Sequence, residues 1–314
     1  MKKRILVVGF GGMGCRHAQS LHNAGYEVTI IERNKHIIQP SLNNIQKNKE
    51  DFIFIESLDE LSGFYDLAVV ATSSEPRFII TRNLITYGIK KFLLEKIVFQ
   101  NQKQFDEIIN LMNSQKVEIF TNFVNRYVEN YQILKSDLRK NEAPLKMTVS
   151  GNLFGLGCNS IHYVDLFRFL TERSLESNHF KLEEDSAGNK RGMQYKEFYG
   201  KMTFSNQYGD FLNIHADPNF SNEILISLHY QNICLIINEN LQIVQKFNFD
   251  TGLTKTEPLY LHYTSTLTSR IVDDIIKGKC VLSDVKETYY DHLLLFNIFN
   301  TTLGLSPNEK CPIT

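Results

Sequence analysis

The strongest constraint on the fold is near the start, where "RILVVGF" runs straight into glycines. A short run that is apolar throughout reads as a strand buried on both faces, as in a parallel sheet. It ends in Gly9-Phe10-Gly11-Gly12-Met13-Gly14, a GxGxxG, and continues as the helical pattern "CRHAQSLHNAG" closed by Gly25. A second apolar run, "EVTII", then delivers Glu32, 18 residues past Gly14. Strand, glycine turn, helix, strand and acid therefore come in the order a dinucleotide site requires. Gly9 permits the tight turn, Gly11 lets backbone approach a pyrophosphate, and Gly14 lets the helix pack close to the sheet. The helix start offers free N–H groups and the positive end of its dipole to phosphate. Gly9, Gly11, Gly12, Met13, Gly14 and Glu32 are the first cofactor-binding candidates.

A carboxylate at Glu32 accepts hydrogen bonds from ribose hydroxyls and repels a 2′-phosphate, which favours NAD over NADP. Arg33 keeps NADP open as the alternative, because a guanidinium there can stack on adenine, answer a 2′-phosphate or simply face solvent.

The same alternation continues through "DFIFI", "YDLAVVAT", "EPRFIITRNLITYGI", "KKFLLEKIVF", "NQKQFDEIINLMNSQKV" and "EIFTNFVNR". Apolar strands alternating with helices predict a doubly wound parallel sheet, whose ligands sit beyond the carboxyl ends of the strands. Those ends hold Thr72 and Ser73, Glu95 and Lys96, and Asn122 onward to Arg126 and Tyr127. A lysine leaving an apolar strand end can bind a substrate hydroxyl and ease its deprotonation, or it can pair with Glu95 or reach solvent. Arg126 reads equally as a pocket residue or as a salt-bridged helix start.

From Lys146 the pattern changes to strand-like stretches with short polar turns: "KMTVSGN", "EFYGKMTFS", "FLNIHAD", "EILISLHYQ", "ICLIINE" and "QIVQKFNF". They predict an open, mainly antiparallel sheet in an α+β domain. Residues 185–194 read as an exposed loop, and "LTSRIVDDIIKGK" and "DVKETYYDHLLLFNIFNTTLG" as closing helices. The expected fold class is α/β, with a Rossmann domain over 1–122 and an α+β substrate and dimerisation domain over 123–314. The segment "GLGCNSIHYVDLFRFL" would set His162 and Asp165 on one helix face, with Cys158 and Asn159 a turn earlier.

Composition narrows the function classes. With 34 basic and 35 acidic residues the formal net charge is -1, so neither a nucleic-acid nor a membrane field is expected. The 42% hydrophobic and 22% charged content is that of an ordinary globular protein. Five scattered cysteines without a CxxC pair or a Cys/His cluster indicate neither a disulfide framework nor a metal site. The start imitates a signal peptide, but its apolar stretch is broken by glycines and no small-residue cleavage site follows, so a cytoplasmic protein is expected.

Taken together, "VVGFGGMG", "VVATSSEPR", "LLEKIVF", "NFVNRY", "IHYVDLFRFL" and the C-terminal "IVDDIIKGKCVLSDVKETYYDHLLLFNIFN" resemble the glucose-fructose oxidoreductase/inositol dehydrogenase (Gfo/Idh/MocA) family over nearly the whole chain. The resemblance implies an NAD- or NADP-dependent oxidoreductase of a sugar or sugar derivative, and identical subunits paired through the open sheet. It assigns Lys96 to the family's Glu-Lys-Pro motif and His162 to its Asp-x-x-x-His motif, as catalytic residues. Asn122, Arg126, Cys158 and Asn159 join His162 as substrate-binding candidates.

Two positions depart from the family. Ile97 stands where the motif has proline, and Cys158 where it has the aspartate that would favour a protonated imidazole. The form of the histidine segment is similar to members among the bacterial surface-polysaccharide sugar enzymes, which implies a nucleotide-activated or acylated sugar. Two alternatives remain: a cofactor-bound sensor or assembly partner without turnover, and an enzyme of another carbonyl class.

Overall fold

The computed structural model describes residues 2–141, 143–221, 223–261 and 263–314. The chain forms two compact units, one of residues 2–122 with 263–288, the other of 123–261 with 289–314. The sequence pattern predicts a second domain unbroken from 123 to 314. Instead, residues 263–288 return to the first unit.

The first unit is built on β1 (Arg4–Val8), β2 (Glu27–Ile31), β3 (Ile53–Ile55), β4 (Leu67–Val70), β5 (Lys91–Leu94) and β6 (Glu118–Thr121). They form one parallel sheet in the order β3-β2-β1-β4-β5-β6. That is the doubly wound order, with its switch point between β1 and β4. All of β4 and all but the first residues of β1 and β5 are buried, because α1 (Gly12–Asn23), α2 (Lys35–Ile45), α3 (Ser74–Tyr87) and α4 (Gln102–Gln115) accompany the strands. The sequence reading omitted α2, which carries Pro40 and is capped by Asn34, whose side chain accepts from the His36 amide at 3.1 Å.

The second unit contains α5 (Glu129–Asn141), β7 (Lys146–Gly151), α6 (Leu156–Thr171) and β8 (Glu176–Glu184), then β9 (Phe198–Ser205), β10 (Phe211–Ala216), β11 (Leu225–Tyr230), β12 (Ile233–Asn238), β13 (Ile243–Asn248) and β14 (Leu253–Pro258). Its open eight-stranded sheet runs β14-β13-β12-β11-β7-β10-β9-β8, antiparallel except for β7 with β10. Inward and outward residues alternate along β7, as expected when one face is covered. The predicted strands all form, and β8 and β14 are added. The predicted closing helices form as α7 (Thr264–Ile276) and α8 (Val285–Thr302).

α7 belongs to the first unit and lies along α1. Tyr26 donates to Asp273 at 2.7 Å, and the Ser269 amide donates to Ser20 at 3.0 Å. No described helix is long and apolar enough to cross a membrane.

Candidate active site

In the first unit, Gly9 follows β1 with φ of +90°, a conformation that side-chain-bearing residues avoid. A Cβ on Gly9 would also sit 3.2 Å from Thr72 Cγ2, so the loop after β4 closes directly over the glycine turn. At Gly14 a Cβ would run into the carbonyl oxygen of Gly9, so only glycine lets α1 start this close to the sheet. Gly11 and Gly12, by contrast, face open space, with nothing within 4 Å of a Cβ. No side chain caps α1 at Gly11, and its first turn holds no acid. The result is a helix end with exposed amides, a positive dipole and room for an anion.

Glu32 leaves β2 beside this turn. Its carboxylate accepts from the Phe10 amide at 2.7 Å and from the Asn34 amide at 2.8 Å. Besides its predicted part toward ribose, it ties the glycine turn to the start of α2. Arg33 is exposed.

Thr72 and Ser73 lie between β4 and α3. The buried guanidinium of Arg77 donates to the carbonyls of Thr72 and Ile97, holding two strand-end loops together. The second of these loops carries Glu95 and Lys96, both buried. Glu95 Oε1 receives Asn122 Nδ2 at 2.7 Å and faces His17 Nε2 at 3.0 Å. Burial pushes the Glu95 carboxyl up. His17, Asn122 and the Lys96 charge outweigh it and hold the carboxyl far below the usual carboxylate range. The Lys96–Ile97 peptide is cis.

In the second unit, α6 starts at Gly155, whose φ is +78°. Cys158, Asn159 and His162 are half-buried, while most of the helix is fully buried. Spacing of three and four residues puts the three on one helix face. Phe123 meets the His162 ring edge-on, with centroids 5.7 Å apart. The Cys158 thiol points to the Gly155 carbonyl at 3.7 Å. Asn159 gives an N–H to the Phe154 carbonyl at 2.5 Å.

Arg126 forms a bidentate pair with Asp165, through Nε at 3.0 Å and Nη2 at 2.8 Å. Asp165, 0% exposed, thus holds the Arg126 guanidinium inside the unit. Breaking such a buried pair from one side costs about 3–5 kcal/mol.

Two carboxylates near this face were not singled out in the sequence. Glu197, just before β9, accepts from the Gly157 amide at 2.8 Å and from Asn189 at 2.8 Å. Glu239, just after β12, lies by Tyr131 and Tyr163. Burial pushes its carboxyl up, and the Tyr131 hydroxyl offsets part of that. Among the described residues no three His, Cys, Asp or Glu side chains are grouped to hold a metal ion.

The Shikimate / quinate 5-dehydrogenase family matches residues 1–99, the glycine turn and first strands. No curated protein matches the chain in sequence. Solved structures do match along its length. UDP-N-acetylglucosamine 3-dehydrogenase GnnA from Acidithiobacillus ferrooxidans is 15% identical with a TM-score of 0.72, covering 97% of this chain and 98% of its own. The WlbA dehydrogenase from Bordetella pertussis, solved with NADH and UDP-GlcNAcA, is 16% identical with a TM-score of 0.69, covering 96% and 97%. An oxidoreductase from Agrobacterium radiobacter, solved with NAD+, L-tartaric acid and magnesium, is 11% identical with a TM-score of 0.74, covering 96% and 97%.

The chain shares the two-sheet fold of these dehydrogenases. The fold expected from the sequence is therefore present in both its sheets. On this frame the structure gathers Gly9, Gly14, Glu32 and Thr72 round the glycine turn, and Glu95, Lys96 and Asn122 at the ends of β5 and β6. Cys158, Asn159 and His162 share one face of α6 in the other unit. His17, Arg77 and Glu197 are not marked by the sequence, and the partners of His17 and Glu197 come from distant segments. For His17 and Arg77 the one local signal was an imidazole or charged side chain inside a helical pattern.

Proposed function

We propose that the chain is an NAD(P)-dependent oxidoreductase that moves a hydride to or from a hydroxyl or keto carbon of a sugar or nucleotide sugar. The carrying observation is the helix end at Gly11 and Gly12, open, uncapped and free of acid, above a Gly9–Gly14 contact that admits no side chain. Support for the substrate class comes from dehydrogenases of the same fold, one solved with NADH and UDP-GlcNAcA and one named for UDP-N-acetylglucosamine.

In this reading the first-turn amides of α1 would take the pyrophosphate and Glu32 the adenosine ribose. Met13, Arg33, Thr72, Ser73 and Glu95 are further candidates around the cofactor. A nicotinamide cofactor, when bound, supplies or accepts the hydride. Lys96 donates to the substrate oxygen and stabilises its negative charge. His162 takes or returns the hydroxyl proton, a role worth about 10² to 10⁴ in rate. Asn122, Cys158 and Asn159 bind the sugar, while Arg126 acts through Asp165. Identical subunits pair through the open sheet, and a place in surface-polysaccharide sugar synthesis fits the substrate class.

Cys158 favours one second reading, a cofactor-bound sensor without turnover, because a thiol stands where the family carries its aspartate. The purified protein is titrated with NADH and NADPH, then offered sugars and UDP-sugars while nicotinamide absorbance is followed. Turnover that falls by about 10² or more in His162→Ala supports the enzyme. Binding of NADH with no turnover across the panel supports the sensor. Binding of neither dinucleotide overturns both.

A further inference from the structure

A buried cluster lies against the Glu95–Lys96 strand end, and two of its members, His17 and Thr268, have no part in the hydride-transfer roles above. Its members come from four segments: His17 from α1, Glu95 after β5, Asn122 after β6 and Thr268 from α7. His17 and Thr268 are 0% and 1% exposed. His17 Nδ1 lies 2.8 Å from Thr268 Oγ1, and Nε2 lies 3.0 Å from Glu95 Oε1. Thr268 Oγ1 is also 2.9 Å from the Thr264 carbonyl.

Proton counting fixes the direction of the key bond. An ionised carboxylate only accepts, so His17 Nε2 must carry a proton and donate it to Glu95. This holds whether the Thr268 hydroxyl gives its proton to Thr264 or to His17 Nδ1. Asn122 Nδ2 donates to the same Glu95 oxygen at 2.7 Å. Two donors on one oxygen, in a place with almost no water, select the ionised form of that side chain.

We propose that His17 is a positioning residue for Lys96: clamped between Thr268 and Glu95, it keeps Glu95 ionised so that Lys96 stays a cation. This rests on the reading of Lys96 as the donor to the substrate oxygen. Without the His17 donor only Asn122 remains on Glu95 Oε1, burial favours the protonated carboxyl more strongly, and the counter-charge beside Lys96 weakens. A lysine that sheds its proton then stabilises an alkoxide poorly. The titratable or charged groups at this corner are His17, Glu95, Lys96 and Arg77, whose guanidinium holds the Ile97 carbonyl. Asn122 and Thr268 are neutral. The clamp also reports whether α7 is docked, because Thr268 arrives 251 residues after His17.

The test reads charge directly and needs no substrate. Protein labelled with ¹³C and ¹⁵N in lysine is titrated by NMR, with the Lys96 signal assigned by its loss in Lys96→Arg. In His17→Phe the Lys96 midpoint should fall by one pH unit or more, a tenfold change in ionisation. His17→Gln, which keeps one donor toward Glu95, should restore most of it. Thr268→Val leaves the imidazole in place and should give a smaller shift of the same sign, which covers a His17→Phe that does not fold. Coincident midpoints in the parent, His17→Phe and Thr268→Val would overturn the proposal and leave the hydride-transfer reading intact. A sugar panel without turnover would overturn the hydride-transfer reading, while displaced midpoints would still show the coupling of His17, Glu95 and Lys96.

Discussion

Two helices of this chain begin at glycine turns with no side-chain cap and no acid in the first turn, yet their ends differ. At α1 the space over Gly11 and Gly12 is open. At α6 the Gly157 amide already donates to Glu197, 40 residues on, and a Cβ at Gly157 would lie 2.8 Å from the Lys196 carbonyl oxygen and 3.1 Å from Glu197 Oε2. One helix end has room for an anion; the other holds a carboxylate of its own. A glycine-led helix start is therefore no anion site until its surroundings are known. The Glu197 carboxylate also counters the field that the α6 N-terminus would otherwise direct at Cys158.

The comparison is broken most severely at Gly14. Gly14→Ala drives a methyl into the Gly9 carbonyl, and overpacking of this kind costs about 1–3 kcal/mol. NADH affinity should fall by about two orders of magnitude, together with the melting temperature. Gly12→Ala, with open space around its new methyl, should weaken NADH roughly tenfold while leaving the melting curve in place. Fluorescence titration and thermal melts of the two variants read this directly. If Gly12→Ala binds NADH like the parent, the open end of α1 is not where the pyrophosphate lies.

At the filled end the expectation is reversed. Glu197→Ala orphans the Gly157 amide and should cost about 1–3 kcal/mol in urea unfolding, with NADH binding unchanged. Glu197→Gln, which keeps an acceptor, should recover most of that stability. A stable Glu197→Ala protein would mean that the α6 end is as open as the α1 end.

The difference between these helix ends also marks what the sequence made legible. The doubly wound sheet was readable because buried parallel strands are apolar throughout and glycines punctuate them, as in "RILVVGF". β14 was not, because five of the six residues of "LTKTEP" are exposed and no apolar alternation announces a strand. Lys96 and His162 stood out by position, the one leaving an apolar strand end and the other on an apolar helix. Glu197 and His17 did not, since what singles them out is a partner 40 or 78 residues away. Nor was the return of α7 to the first unit visible, because an amphipathic helix does not say which surface it covers.

The far end of α6 gives a test by pH. Arg168 in its last turn is paired with Asp291 through Nε at 2.7 Å and Nη2 at 2.6 Å. Burial raises the Asp291 carboxyl to about 6 despite that partner. A group whose pKa is raised by folding contributes fully below its unfolded value, near about 4, and that contribution is lost as pH rises through about 6. Asp291→Asn does not titrate, so its melting temperature relative to the parent should rise by a few degrees, about 2–4 °C, between pH 4.5 and 7.5. Parallel melting curves across that range would show that Asp291 titrates normally.

The smallest expected effect is at Glu32, where the open helix end meets the acid. Its two oxygens already serve the Phe10 and Asn34 amides, so the side chain both shapes the turn and presents charge. Alanine removes both functions together and cannot tell them apart. Glutamine keeps one acceptor, turns an N–H toward the other amide and deletes the charge. If repulsion of a 2′-phosphate sets the cofactor preference, Glu32→Gln should bind NADH only a few-fold more weakly. The NADPH-to-NADH affinity ratio should rise by up to about tenfold, and the gain should shrink as salt screens the charge. Equal weakening of both dinucleotides, at every ionic strength, would mean that Glu32 serves the turn alone and that discrimination lies elsewhere, with exposed Arg33 the next residue to substitute.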